Sequence, residues 1–227
     1  MAGSITTPND AADMKDRALD QFERWAATYD DSLLRHFLFR PAYRVTMEEI
    51  AEWHAEHPDP FRVLDIGCGT GELALLLAQS DWPVEVIGLD YAPAMTQQAQ
   101  AKAQGSGLGH KAKFLAGDSE FLPFAVSSFD FVACANSFHH YPEQARVVSL
   151  VHKLLRPGGR FLLIDGFRDN SLGFVVFDVI IPAVEGKVYH APASVIEGYF
   201  RDAGFVRIRR RRFNFWMPLL ATIGEKL

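Results

Sequence analysis

Cysteine is scarce. Cys68 and Cys134 are the only two in 227 residues, which excludes a small domain stapled by disulfides. Both lie inside apolar or glycine-rich segments, an arrangement that suits a reducing compartment. A long apolar run is also missing. The longest stretch, 172–184, is broken by Asp178 and Pro182, whereas a membrane-spanning helix needs roughly 18 or more apolar residues. The segment 1–16 has no apolar core of the signal-peptide kind, so a cytoplasmic protein is expected. Nor is there a basic excess. Lys and Arg number 23 against 28 Asp and Glu, a net charge of −5, and a protein that coats nucleic acid would be basic. No nucleic-acid partner is expected. What remains is ordinary: 48% hydrophobic and 22% charged residues describe a globular chain and exclude disorder as its dominant state. The length fits one domain, or one with a small cap.

Met14, Ala18, Phe22, Trp25 and Tyr29 recur at helical spacing and predict an amphipathic helix. Pro41 opens a second helix, with Tyr43, Met47, Ile50 and His54 on one face, and His57-Pro58-Asp59-Pro60 closes it. From Arg62 the pattern changes. Strands are predicted at 63–66, 84–89, 112–116, 129–135 and 160–165, and helices at 73–78, 93–104 and 142–155, with a turn at Pro157-Gly158-Gly159. Short apolar strands alternating with helices imply a parallel sheet covered on both faces. Ligands of such sheets bind beyond the carboxyl ends of the strands. An apolar insertion at 166–190 interrupts the alternation. A helix at 192–203 and strands at 205–213 and 215–223 follow, and the short connection around Asn214 permits only an antiparallel pair.

The sharpest local signal is Val63-Leu64-Asp65-Ile66-Gly67-Cys68-Gly69-Thr70-Gly71-Glu72. Its glycines admit positive φ and close approach by a ligand, and the following helix offers free N–H groups. The dinucleotide fingerprint wants glycine where Glu72 stands, and no Gly-Lys-Ser/Thr follows as in a phosphate loop. The loop therefore suits a cofactor without phosphates and with a zwitterionic amino-acid tail. Asp90 ends the second strand, where a carboxylate can accept from two ribose hydroxyls. Asp118 follows the third, where it could accept from an exocyclic amine such as that of adenine.

These residues resemble a class I S-adenosylmethionine-dependent methyltransferase, similar to the branch of ubiquinone and menaquinone biosynthesis C-methyltransferases. The resemblance rests on VLDIGCGTGELALLLA (63–78), VIGLDYAPAMTQQA (86–99), FLAGDSEFLPFAVSSFDFVACANSFHHYPE (114–143) and LLRPGGRFLLID (154–165), with FERWAATYD (22–30) at the front. It implies a Rossmann-like α/β fold: a seven-stranded, mostly parallel sheet with an antiparallel C-terminal strand. Residues 1–60 would form an N-terminal helical cap or lid, and 61–227 the methyltransferase domain. It also implies site roles. Gly67, Gly69 and Gly71 pass beneath the methionine part of the cofactor, with Asp65 near its amino group. Asp90 binds the ribose, Tyr91 and Met95 flank the adenine, and Asp118 and Ser119 read its edge. Asn136 faces cofactor and acceptor, and Tyr29 reaches in from the lid. Cys68 contributes backbone alone.

A sulfonium methyl is already activated, so alignment and exclusion of water are the enzyme's main work. The candidate base is His139, in Ser137-Phe138-His139-His140-Tyr141, because imidazole titrates near neutrality; the alternative is a histidine that packs beneath the loop. No metal is expected, since adjacent histidines do not easily share an ion and no carboxylate partner is visible. The insertion predicts a lid for a small hydrophobic or aromatic acceptor, or else a face packed on the core or on a second copy in a homodimer. Arg207 and Arg209 to Arg212 read as a charged edge strand, with peripheral contact to an anionic membrane as the other reading. Rival functions are a phospholipid or amine N-methyltransferase of the same fold, or a cofactor-binding scaffold without catalysis.

Overall fold

The computed structural model describes residues 15–16, 19–20, 23, 39–181, 188–215 and 217–227. Lys15, Asp16, Leu19, Asp20 and Glu23 are helical, as the front-end pattern predicts; Met14, Ala18, Phe22, Trp25 and Tyr29 lie outside the described residues. Helix α1 (Arg40–Glu56) begins at Arg40 and carries Pro41 in its first turn, one residue later than the expected opening position. The order then runs β1 (Phe61–Ile66), α2 (Glu72–Gln79), β2 (Val84–Asp90), α3 (Pro93–Gly105), β3 (Ala112–Ala116), β4 (Phe129–Ala135), α4 (Gln144–Leu154) and β5 (Leu155–Gly166). A short helix, Ser171–Phe174, widens into a π turn, Val175–Ile180, before α5 (Ala193–Asp202), β6 (Val206–Phe213) and β7 (Leu219–Glu225).

All seven strands join one sheet in the order β3-β2-β1-β4-β5-β7-β6. Strands β1 to β5 pair in parallel, and β7 runs antiparallel to both β5 and β6. This is the expected Rossmann-like sheet with its antiparallel C-terminal strand. The strand order reverses between β1 and β4, which opens the crevice where ligands of such sheets bind.

The strands are apolar on both faces because both are covered. Val63, Phe131, Ala133, Leu162 and Ile164 point to one side, where they meet Ile50 and Trp53 of α1 and Leu73, Ala74 and Leu77 of α2. Their neighbours Leu64, Ile66, Val132, Cys134, Phe161 and Leu163 point to the other and meet Val147, Val148 and Val151 of α4 and Phe200 of α5. This period-two alternation fixes the register, since a one-residue slip would exchange the two faces.

Two expectations are corrected. Pro157-Gly158-Gly159 is not a separate turn, because β5 runs through it. The pairing with β4 jumps from Phe129↔Leu155 to Phe131↔Arg160, so the glycines sit in a bulge, where Gly158 has φ +79°. The last strand is Leu219–Glu225 and not 215–223, although the bend at Asn214 is where expected, with φ +61°. The described part of the insertion packs Val176, Phe177 and Ile181 into the core and exposes Leu172, Phe174, Val175 and Val179.

Strand β6 is the sheet edge, and its arginines meet carboxylates. Arg207 bonds Glu225, Arg209 bonds Glu49 and Glu52, Arg210 approaches Glu197, and Arg211 bonds Glu48. Arg212 lies over the Phe167 ring. Among the described residues, no helix is long and apolar enough to cross a membrane.

The buried member of this network is Glu49, 3% exposed, which takes two bonds from Arg209 (2.9 and 2.5 Å) and lies 3.9 Å from the buried Arg160. Glu49→Ala removes the acceptor of Arg209, while Arg160 keeps its 2.9 Å bond to Glu225, and should lower the unfolding free energy by roughly 1–2 kcal/mol. The midpoint of a urea transition measures this, and an unshifted midpoint would show that the network does not stabilise the fold.

Candidate functional site

Beyond the carboxyl ends of β1, β2 and β4 lies a cleft of about 870 Å³, open mouth included. Its floor is the loop between β1 and α2. Gly67, Gly69 and Gly71 all have positive φ (72°, 52° and 80°), a region that L side chains resist. A Cβ on Gly67 would overlap Ser137, and one on Gly71 would come within 2.7 Å of Phe114 and 2.8 Å of Ala99. The loop is tied to β2 by Gly67 N–H and Cys68 N–H, which both donate to the Leu89 carbonyl (2.8 and 3.1 Å).

Asp90 completes the tie. One of its oxygens accepts from Gly69 N–H (2.8 Å) and the other from Ala92 N–H (2.9 Å). Burial pushes its carboxyl up, opposed by the N–H groups of Ala92, Gly69 and Tyr91. A carboxylate has about four lone-pair sites, so Asp90 keeps capacity toward the cleft it lines. Asp65, at the end of β1, is buried, and its Oδ2 has no hydrogen-bond partner. Burial, then repulsion from Asp90, raises its pKa to about 7. Cys68 lines the cleft, but burial holds its thiol well above the usual range, so it is no nucleophile at neutral pH.

The other walls gather most of the remaining expected residues. Tyr91, Met95, Asp118, Ser119 and Asn136 all line the cleft; Tyr29 lies outside the described residues. Asp118 caps the turn Ser119–Phe121 by accepting from Glu120 N–H (2.9 Å). Asn136 has φ +57°, and its buried Nδ2 has no hydrogen-bond partner. Phe39, just before α1, and Tyr43, on its first turn, add an aromatic wall with ring centroids 6.3 Å apart. Lys15 reaches in from the front end, donates to Asp118 Oδ2 (2.7 Å) and pairs with Glu120. Burial opposes its charge, but the two carboxylates hold its pKa above the ordinary lysine value.

The paired histidines divide. His140 lines the cleft, while His139 is buried, and its ring N–H at Nδ1 donates to Asp165 (2.7 Å). Asp165, 26 residues away, is the carboxylate partner that the sequence did not reveal. Burial raises its carboxyl, but His139, His190 and the Gly166 N–H together hold it below its usual value. His190 stacks on His139 with centroids 4.3 Å apart at 22°. Burial, then the charge of His139, lowers its pKa to about 3. The ligand atoms of His139, Asp165 and His190 lie within 4.8 Å of one another. His139 and Asp165 are joined by their hydrogen bond, while His190 is held by stacking and keeps a buried Nδ1 without a hydrogen-bond partner.

Sequence reasoning missed Lys15, Phe39, Tyr43, Ser137, Tyr141 and Asp165 as parts of the site or its support, and it ranked His140 behind His139. For Tyr43 a signal existed in the predicted helix face, and for His140 in its adjacency to His139. Lys15 and Asp165 had none, because both depend on contacts over long sequence separation.

Comparison with known proteins agrees with this geometry. Residues 63–159 match the family model described as a methyltransferase domain. The chain is 37% identical over 106 residues to a demethylmenaquinone methyltransferase of Thermus thermophilus, covering 47% of each chain. It is 36% identical over 145 residues to a 27-O-demethylrifamycin SV methyltransferase of Amycolatopsis mediterranei, covering 63% of this chain and 53% of that one. The chain thus spans about half the length of these relatives. Among solved structures, a SAM-dependent methyltransferase from Aquifex aeolicus superimposes with a TM-score of 0.68 at 17% identity, over 90% of this chain and 98% of that one.

Asp65 yields a prediction without any ligand. Its folded pKa, about 7, lies above the unfolded value of about 3.9. The native state therefore binds the extra proton between these values, and the stability it confers is lost as pH rises from about 4 to 7. Asp65→Asn should be more stable than the parent by about 2–4 kcal/mol at pH 8 and equal to it near pH 4. A difference independent of pH would show that Asp65 does not titrate there.

Proposed function

We infer that this chain, through the methyltransferase domain at residues 63–159, is a class I S-adenosylmethionine-dependent methyltransferase acting on a small hydrophobic or aromatic acceptor. The observation that carries this reading is the row of carboxylates at successive strand ends. Asp65, Asp90 and Asp118 stand at or just beyond the ends of β1, β2 and β3; Asp90 and Asp118 line the cleft, and Asp65 is buried at the end of β1. Among the described residues that line the cleft, Lys15 is the single Lys or Arg, and it is paired with Asp118 and Glu120. Such a site repels phosphates and favours a ligand with a sulfonium and an ammonium.

The residues present fit that cofactor. The buried Asp65 Oδ2 lacks a partner, and an ammonium would satisfy it. The open lone pairs of Asp90 suit the two ribose hydroxyls. Met95 and Tyr91 supply apolar surface for an adenine, with Asp118 at its edge. When bound, S-adenosylmethionine supplies an activated methyl group. The chain's own residues orient the partners and exclude water, the larger part of the work when the leaving group is already activated. Phe39 and Tyr43 would hold an apolar acceptor, and the Asn136 amide N–H would donate to an acceptor oxygen. The proton-accepting role expected of His139 passes in this proposal to His140, which faces the cleft while His139 is engaged with Asp165. The relatives' names, a demethylmenaquinone and a rifamycin methyltransferase, support bulky aromatic acceptors. The paired arginines of β6 and the described part of the insertion play no part in this cleft.

Calorimetric titration with S-adenosylmethionine and S-adenosylhomocysteine tests the cofactor, and absence of binding by either would overturn the assignment. Asp90→Ala should weaken binding by roughly 1–3 kcal/mol, and an unchanged affinity would remove Asp90 from the ribose site. For a hydroxyl or carbon acceptor, His140→Ala should lower kcat about 100-fold with cofactor affinity intact. A full rate would return His140 to the cleft wall.

A further inference from the structure

The end of β4 and the turn after it carry three hydrogen-bonding side chains that the chemistry above leaves unused. Ser137 lies beneath the glycine floor, where a Cβ on Gly67 would overlap it. Cys134, near the end of β4, and Tyr141, just after the short turn Phe138–His140, both reach its hydroxyl. The Tyr141 oxygen is 2.9 Å from Ser137 Oγ, and the Cys134 sulfur 3.3 Å. Ser137 also donates to the Ile66 carbonyl at the end of β1 (3.2 Å). The buried Phe138 ring stands edge-on to the Tyr141 ring with centroids 5.7 Å apart and backs the phenol. Ser137 and Tyr141 both line the cleft.

The protons of this cluster can be counted. A carbonyl only accepts, so Ser137 gives its single proton to Ile66 and meets its other neighbours as an acceptor. Its two lone pairs then take the Tyr141 O–H and the Cys134 S–H. Both donors keep their protons at neutral pH. Burial foremost, then the neighbouring Cys134 and Asp90, holds the Tyr141 phenol well above its usual range, against the Ser137 hydrogen bond. Burial likewise pushes the Cys134 thiol up to about 12. What is left over is the phenol oxygen as an acceptor. Among the described residues its one further hydrogen-bonding neighbour is the Cys134 thiol, at 3.9 Å, a long and weak contact. Such an oxygen takes a donor and has nothing to offer a carboxylate.

The place of that oxygen selects the donor. It lies 2.9 Å from where a Gly67 Cβ would stand. Gly67 follows the buried Asp65 by two residues, and its N–H is tied to Leu89, next to Asp90. The charge of Asp90 reaches Tyr141, and that of Asp65 reaches Cys134. The oxygen thus stands in a negative field, which favours a cationic N–H. We propose that Tyr141 is a specificity residue of the cleft: its phenol oxygen, aimed by Ser137, accepts from the ammonium of the cofactor's amino-acid end and so separates ligands that carry an amine there from ligands that do not. The proposal rests on the cofactor reading above. It adds a second acceptor, besides the unpaired Asp65 oxygen, for a group with three N–H donors.

The test is calorimetric binding to the parent, Tyr141→Phe and Ser137→Ala. The probes are S-adenosylhomocysteine, its analogue without the amine but with the carboxylate, and methylthioadenosine, which lacks the whole amino-acid end. Tyr141→Phe should lower the affinity for S-adenosylhomocysteine about 20-fold and leave that for the other two unchanged. Ser137→Ala keeps the phenol but removes the acceptor that fixes its proton, and should show the same selective loss at about threefold. Equal losses for all three probes would make Tyr141 a plain wall of the cleft and overturn the proposal, as would an unchanged affinity for S-adenosylhomocysteine. Should Tyr141→Phe fail to fold, the selectivity of Ser137→Ala decides alone. Should the parent bind methylthioadenosine as tightly as S-adenosylhomocysteine, the amine is not recognised, and the Tyr141 assignment falls while the nucleoside part of the cofactor reading stands. Should the parent bind none of the probes, the cofactor assignment falls and takes the Tyr141 assignment with it.

Discussion

Four backbone N–H groups, those of Gly67, Cys68, Gly69 and Ala92, are drawn onto Leu89 and Asp90 at the carboxyl end of β2. The rest of the site depends on this knot. It holds the three alternate glycines Gly67, Gly69 and Gly71 in the left-handed region, so the loop is a floor and not a flexible connector. It also commits part of the Asp90 carboxylate to structure, leaving the remainder for a ligand. A loop of this shape could not be built from residues with side chains, since the space beneath Gly67 and Gly71 is filled by Ser137, Phe114 and Ala99.

Three carboxylates near the strand ends are accommodated in three ways. Asp90 is compensated by backbone N–H groups. Asp165 is compensated by a histidine and held below its ordinary pKa. Asp65 is left with an unpaired oxygen and a pKa near 7. The second is a closed arrangement that rigidifies its surroundings, and the first keeps lone pairs for a ligand. The third is open, and an isolated buried charge is costly. Such an uncompensated group is the usual signature of a place where a ligand completes the hydrogen bonding, and where stability is given up for binding.

Away from the cleft, the same electrostatic logic explains the unusual composition of the last parallel strand. Five arginines in six residues would be self-repelling on a bare edge. Here Glu48, Glu49 and Glu52 of α1 and Glu225 of β7 lie against them, so the edge strand and the first helix are joined by charge as well as by packing. This arrangement protects the sheet edge and blunts attraction to an anionic surface.

The sequence by itself determined the strand–helix alternation, the antiparallel end of the sheet, the glycine floor and the carboxylates at 65, 90 and 118. All of these rest on local chemistry: residue period, turn residues and the position of an acid after an apolar run. It also located the histidine pair, but not which member faces the cleft, because that depends on Asp165, a partner 26 residues away across β5. The pairing of Lys15 with Asp118, more than a hundred residues apart, and the absorption of Pro157-Gly158-Gly159 into β5 were likewise decided by the tertiary structure. Local pattern specifies which face a residue occupies on its own element. Which other element arrives at that face is set only when the chain packs, and both the partners of the buried charges and the closure of the cleft are settled there.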